Sequence, residues 1–163
     1  MVSLSRHLSN ETNNIRVDGF SWREQESAIN DELAQFRTEV AYDIPSVTHS
    51  SHQESNEETL RVHFVHRRSV ASDAIPLLYC HGWPGCFLEV SKIIGPLSSP
   101  IPTHLHAPDD SPAFHVVAPS IPGFGFSDPS TLGDFGVRHT ALVFHELMKK
   151  LGYERYVIYG SGW

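Results

Sequence analysis

From residue 75 onward short apolar runs alternate with stretches of helical periodicity. The apolar runs cover 75–80, 114–119 and 155–159. Between the first two, Phe87, Val90, Ile94 and Leu97 recur at helical spacing, and within 137–151 so do Ala141, Phe144, Met148 and Leu151. Strands without polar alternation are covered on both faces, and the order strand, helix, strand, helix, strand implies parallel strands joined by crossover helices. This predicts an α/β fold, a mostly parallel sheet in a three-layer αβα arrangement. In such sheets chemistry gathers beyond the carboxyl ends of the strands. Those ends read His81-Gly82-Trp83-Pro84-Gly85, then 119–128, then Gly160-Ser161-Gly162-Trp163.

The stretch before residue 75 has another character. Ser21-Trp22-Arg23-Glu24 is a capping-box pattern, and Trp22, Ile29, Leu33 and Phe36 then follow at helical spacing, which predicts an amphipathic helix over 21–36. Residues 43–59, with Pro45 and a Ser/His/Glu-rich centre, are expected to form a polar loop. Over 60–66, Leu60, Val62 and Phe64 alternate with Arg61 and His63, the pattern of a half-buried strand with the latter pair facing outward. Four prolines in 98–113 predict a surface loop, and Gly152 stands where a helix-ending glycine belongs.

Several function classes are disfavoured. A net charge of −7 argues against a nucleic-acid surface. His49, His52, His104 and His106 sit singly in polar stretches, so surface residues are the simpler reading and no metal role is expected. Cys80 and Cys86 form neither a CxxC pair nor a disulfide framework, and Cys80 reads as a small buried hydrophobe. No apolar run approaches the ~18 residues of a membrane span, and residues 1–16 lack the apolar region of a secretory signal. A cytoplasmic location is the resulting expectation.

Three groups of residues together resemble one family. They are 20–39 with Val62-His63-Phe64-Val65-His66, then His81-Gly82-Trp83-Pro84-Gly85, and then 114–119 with Pro122-Gly123-Phe124-Gly125-Phe126-Ser127. The helix around Phe144-His145-Glu146-Leu147-Met148 and the following Leu151-Gly152-Tyr153 fit as well. The chain resembles the microsomal-type epoxide hydrolases, including the fungal and juvenile-hormone types, over roughly residues 20–163. The resemblance implies an N-terminal region over 1–70 and the first half of an α/β-hydrolase core over 71–163. The first group is the most discriminating, because most α/β-hydrolases lack it.

The resemblance also implies a reaction and its participants. In the family an Asp on the turn after the third strand attacks a ring carbon of a small-molecule epoxide. A late His, paired with an acid, then activates water to hydrolyse the ester to a vicinal diol, with no cofactor. Backbone N–H groups stabilise the tetrahedral oxyanion, and the matching positions are Trp83 and Trp163. His81, Gly82, Pro84 and Gly160 are expected to support the two turns, and the Trp83–Pro84 peptide is expected to be cis, since an X-Pro bond gives up little to be so.

The family pattern at the elbow is Gly-Gly-Asp-Trp-Gly, whereas this chain reads Gly160-Ser161-Gly162-Trp163, so Gly162 occupies the nucleophile position and the Asp is missing. The cap tyrosines, the late acid and the late His have no counterpart in the 163 residues. The expectation is therefore an epoxide hydrolase lineage in a chain that does not turn over by itself. Two alternatives stand beside it, a non-catalytic degenerate fragment and another α/β-hydrolase such as a dehalogenase or a serine esterase using Ser161. The last is disfavoured because Tyr159, two residues earlier, is bulky where such an elbow needs a small residue. Finally, the uncharged run Tyr156-Val157-Ile158-Tyr159 is expected to form an open sheet edge through which the chain self-associates.

Overall fold

A computed structural model describes residues 20–44, 56–100 and 111–162. The chain divides into two compact units, residues 1–32 and 33–163.

In the first unit, helix α1 (Trp22–Glu32) begins as its sequence suggests. Ser21 Oγ accepts a hydrogen bond from the Glu24 amide at 3.3 Å, which satisfies one of the donors left free at a helix start. No residue of α1 is buried. The helix stops at Glu32 rather than continuing to residue 36. Residues beyond it form strand β1 (Gln35–Ile44) in the second unit. The reason is a second periodicity: Phe36, Thr38, Val40 and Tyr42 alternate with Arg37, Glu39, Ala41 and Asp43. Phe36 fits both a helical and a strand template, and pairing with a partner strand decides between them.

That partner is β2 (Asn56–Arg67), which runs antiparallel to β1 from the Gln35–Val65 pair to the Ile44–Asn56 pair. The expected loop over 43–59 thus loses both ends to strands. Its Ser/His/Glu-rich centre, with Pro45, His49 and His52, lies outside the described residues, as do His104 and His106.

The remaining elements follow the alternation seen in the sequence. They are β3 (Ile75–Cys80), a 3-10 turn (Phe87–Val90) leading into α2 (Ser91–Ser98), β4 (Phe114–Pro119), α3 (Val137–Lys150) and β5 (Val157–Gly160). The sheet order is β1-β2-β4-β3-β5. Strands β4, β3 and β5 are mutually parallel, as expected, while β2 joins β4 antiparallel. The sheet is therefore mixed.

Helix α3 covers one face. Its Val143, Phe144, Leu147 and Met148 pack with Val40, Val62, Leu78 and Val117 in the main core. Each such side chain contributes about 1.5–3 kcal/mol on full burial. The buried stripe includes Val143 and Leu147 but not Ala141, which is exposed. The helix ends in a Schellman arrangement, with Tyr153 N–H to Met148 O and Gly152 N–H to Lys149 O, both 2.9 Å. Gly152 takes the left-handed conformation this requires, with φ +87°. On the opposite face, Phe87, Val90 and Ile94 of the 3-10 turn and α2 are buried. In keeping with the open edge expected from the sequence, β5 is exposed along its length, because among the described residues it pairs only with β3.

Candidate functional site

The carboxyl ends of β3, β4 and β5 lie side by side, so the three motif turns converge. After β3 the chain folds back at once, with Gly85 N–H donating to Gly82 O at 2.9 Å. The Trp83–Pro84 peptide in this turn is cis. The indole of Trp83 is 63% exposed, not packed within the turn.

His81 is the fastener of this turn. It is 4% exposed. Its Nε2 lies 3.2 Å from the Ile121 amide, and because an amide can only donate, Nε2 accepts. The ring proton is therefore on Nδ1, which lies 2.9 Å from Gly82 O and donates to it. One imidazole thus joins the turn after β3 to the loop after β4.

The turn after β5 presses backbone against backbone. A Cβ placed on Gly82 would lie 2.5 Å from the carbonyl oxygen of Ser161 and 2.9 Å from Cα of Gly162, so only glycine fits. Reciprocally, a Cβ on Gly162 would lie 2.9 Å from Cα of Gly82 and 3.3 Å from the Trp83 nitrogen, and φ there is +132°. The structure thus brings residue 162 next to the Trp83 amide. At Gly160 a Cβ would meet Cys80 Cβ at an ordinary 3.7 Å, so packing does not demand glycine there. Trp163 lies outside the described residues.

Behind these turns is a polar cluster that the sequence reading missed. His63 is only 4% exposed, not solvent-facing. Strand β2 lies inside the sheet, so the loop after β4 covers its second face. Val65, on that same face, was the available signal. The His63 Nε2 faces Gln35 Oε1 at 3.0 Å and its Nδ1 faces Ser120 Oγ at 2.9 Å. With Gln35 Oε1 accepting, His63 Nε2 donates and Nδ1 accepts from the Ser120 hydroxyl. Ser127 Oγ accepts from the His63 amide at 3.0 Å and donates to Ser120 O at 2.9 Å. Phe87 and Phe126 enclose the ring, with centroids 4.7 and 5.2 Å away. Burial, reinforced by Arg37, lowers the His63 pKa to about 4. The order Ser120–His63–Gln35 has the outline of a nucleophile array, but Ser120 is 1% exposed, and a Cβ on Gly125 would come within 2.7 Å of its hydroxyl. No reactant reaches it.

Two further contacts bind the same loop to the β1–β2 hairpin. Asp128 pairs with Arg37 and, at 2.9 Å, with Arg61. The Arg61 hydrogen bond is the main reason its pKa is lowered. Glu58 accepts from Tyr42, from Ser130 at 2.6 Å and from the Thr131 amide at 2.7 Å. Burial alone would raise the Glu58 pKa, but these hydrogen bonds outweigh it and hold the carboxyl low. On the other partner, burial and the bond to Glu58 push the Tyr42 hydroxyl up to about 12. At the end of β3, burial raises the Cys80 thiol to about 11, so it is no nucleophile at neutral pH. Among the described residues, no three His, Cys, Asp or Glu side chains are grouped to hold a metal ion. None of the described helices is long and apolar enough to cross a membrane.

Comparison with known proteins agrees with this architecture. The epoxide hydrolase N-terminus family matches residues 5–90 and the α/β-hydrolase fold family matches residues 75–163. Epoxide hydrolase 1 of Sus scrofa is 34% identical over 148 residues, covering 88% of this chain and 28% of that protein. Juvenile hormone epoxide hydrolase 2 of Ctenocephalides felis is 31% identical over 147 residues, covering 88% and 26%. Among solved structures, juvenile hormone epoxide hydrolase from the silkworm Bombyx mori superposes with a TM-score of 0.67 at 28% identity, covering 90% of this chain and 30% of that one. The Aspergillus niger epoxide hydrolase gives 0.64 at 31% identity, covering 97% and 35%. The chain therefore spans between a quarter and about a third of the length of these relatives.

Proposed function

The chain belongs to the epoxide hydrolases that join an epoxide hydrolase N-terminal region to an α/β-hydrolase fold, and from that membership we propose that it supplies the oxyanion part of a site for opening small-molecule epoxides to vicinal diols, without supplying the nucleophile. In this reading residues 1–70 are the N-terminal region and 71–163 the first part of the hydrolase core. The N–H groups of Trp83 and Trp163 donate to the oxyanion of an ester intermediate. His81, Gly82 and Pro84 hold the first turn, while Gly160 opens the second without packing requiring a glycine there.

One observation carries the proposal: a Cβ at position 162 would lie 3.3 Å from the Trp83 nitrogen. An attacking group carried there would form its ester within reach of that amide, the geometry oxyanion stabilisation requires. Glycine at 162 has no side chain with which to attack a ring carbon. The 163-residue polypeptide is therefore inactive in this reading.

The test has two arms. The purified chain, incubated with a small aryl epoxide, is expected to form no diol above a heat-killed control. Gly162→Asp is expected not to restore activity, because the ester still needs a His to activate water, and His81, the histidine of these turns, has both ring nitrogens already bonded. Diol formation by either protein would overturn the claim of inactivity. In the second arm, residues 20–159 replace the matching region of the Aspergillus niger epoxide hydrolase, ahead of that enzyme's own elbow. The chimera is expected to hydrolyse epoxides, and a folded, inactive chimera would refute the assignment of Trp83.

A further inference from the structure

In the Gly82–Trp83 peptide, as in any trans peptide, the N–H points opposite the C=O. Whatever grips Gly82 O therefore aims the Trp83 amide. Two groups grip it, the Gly85 amide at 2.9 Å and His81 Nδ1–H at 2.9 Å. The orientation of the His81 ring in turn depends on the Ile121 amide, 3.2 Å from Nε2. Ile121 follows Ser120, whose hydroxyl, amide and carbonyl are all bonded within the buried cluster around His63. The Ser120 amide donates to His63 O at 2.8 Å, and its hydroxyl donates to His63 Nδ1 at 2.9 Å.

We propose that His63 is a positioning residue for the Trp83 amide, acting through Ser120, Ile121 and the His81 ring. The inference rests on the reading of that amide as an oxyanion donor, and it gives the N-terminal hairpin a part in the site. His63 suits the task because each ring nitrogen has its own partner and the bonding fixes the tautomer. A ring held this way cannot rotate without parting the buried pair of His63 Nδ1 and the Ser120 hydroxyl, which costs more than a normal hydrogen bond contributes. The ring has no bond to the turn at 81–85. On that side it packs edge-on against Phe87, so packing and hydrogen bonding offer separable routes.

Hydrogen exchange followed by mass spectrometry on the full 163-residue chain, at low micromolar concentration, separates them. Three variants are compared: His63→Phe, which keeps the aromatic packing; His63→Gln, whose amide both donates and accepts; and Ser120→Ala, which leaves the edge-on contact with Phe87 intact. In His63→Phe and Ser120→Ala the amides of Ile121 and Gly85 are expected to exchange about tenfold faster, with the β1–β2 ladder unchanged. His63→Gln is expected to recover most of the protection. If His63→Phe does not fold, Ser120→Ala decides the question by itself. Unaltered exchange at Ile121 and Gly85 in a folded Ser120→Ala protein would overturn the relay. This outcome is distinct from failure of the proposed function. A chimera that forms diol while exchange ignores Ser120 removes the relay alone. A silent chimera with responsive exchange removes the oxyanion reading and leaves the relay standing.

Discussion

Residue 63 illustrates how burial changes the chemistry of a side chain that alternation assigns to solvent. His63 titrates near pH 4 in the folded chain because burial, and then Arg37, disfavour the imidazolium, whereas an unfolded chain gives histidine its ordinary value near 6.5. Between those limits the unfolded state binds more protons, so stability rises with pH there. Acidifying from pH 7 to 4 should therefore remove up to about 3 kcal/mol through this residue. His66 acts in the same direction, its pKa also lowered to about 4 by burial and then by Arg68 and His115. The carboxylates of Glu58 and Asp128, held low in the fold, extend the loss as they protonate at lower pH. Urea midpoints measured from pH 7 to 4.5 should fall steadily, and His63→Gln should flatten the slope. A constant midpoint across that range would contradict the burial argument. Gly162 makes a complementary point. Its identity and register were legible in the sequence, but its contact with Gly82 was not, since the two are distant along the chain.

At the scale of elements, α3 and its ending were readable because the signals are local. Apolar spacing, Lys149 and Lys150 in the last turn and Gly152 after it all mark one stop. Gly152→Ala isolates the backbone contribution, because a Cβ there would meet nothing within 4 Å while φ stays at +87°. The change should cost about 1 kcal/mol, and Gly152→Asn should cost less, since Asn tolerates the left-handed region better. Thermal melts of the two variants would check the order, and an Ala variant as stable as the parent would show that the strain is absent. The β1–β2 hairpin was harder to read. Its first strand begins inside a helical spacing that reaches Phe36, and only the ladder with β2 resolves the ambiguity. Half of β2 was found, but its buried polar face was not, because alternation records hydrophobicity and His63 is polar.

For the whole molecule, the decisive feature is the exposed flank at β5. Val157, Ile158 and Tyr159 are 44%, 66% and 51% exposed, and with Ile93 and Leu97 they line an open apolar groove of about 500 Å³. The strand carries no charge, Pro or bulge to discourage pairing. The 163-residue chain should therefore self-associate at tens of micromolar, and Ile158→Lys should shift it toward monomer. Light scattering behind size exclusion measures both, and a monomeric parent chain would rule out this edge as an association site. Much of the architecture was determined by the sequence itself: the strand–helix alternation after residue 75, the placing of the three turns at strand ends, the cis Trp83–Pro84 bond and the glycine at 162. These follow from periodicity and from residue types acting over a few neighbours. Tertiary structure alone decided that the hairpin joins the sheet antiparallel, that His63 is sealed beneath the loop after β4, that His81 fastens two turns together and that Gly82 and Gly162 touch. Each of these depends on which distant segments meet, and local spacing cannot encode a meeting that strand order and loop closure bring about.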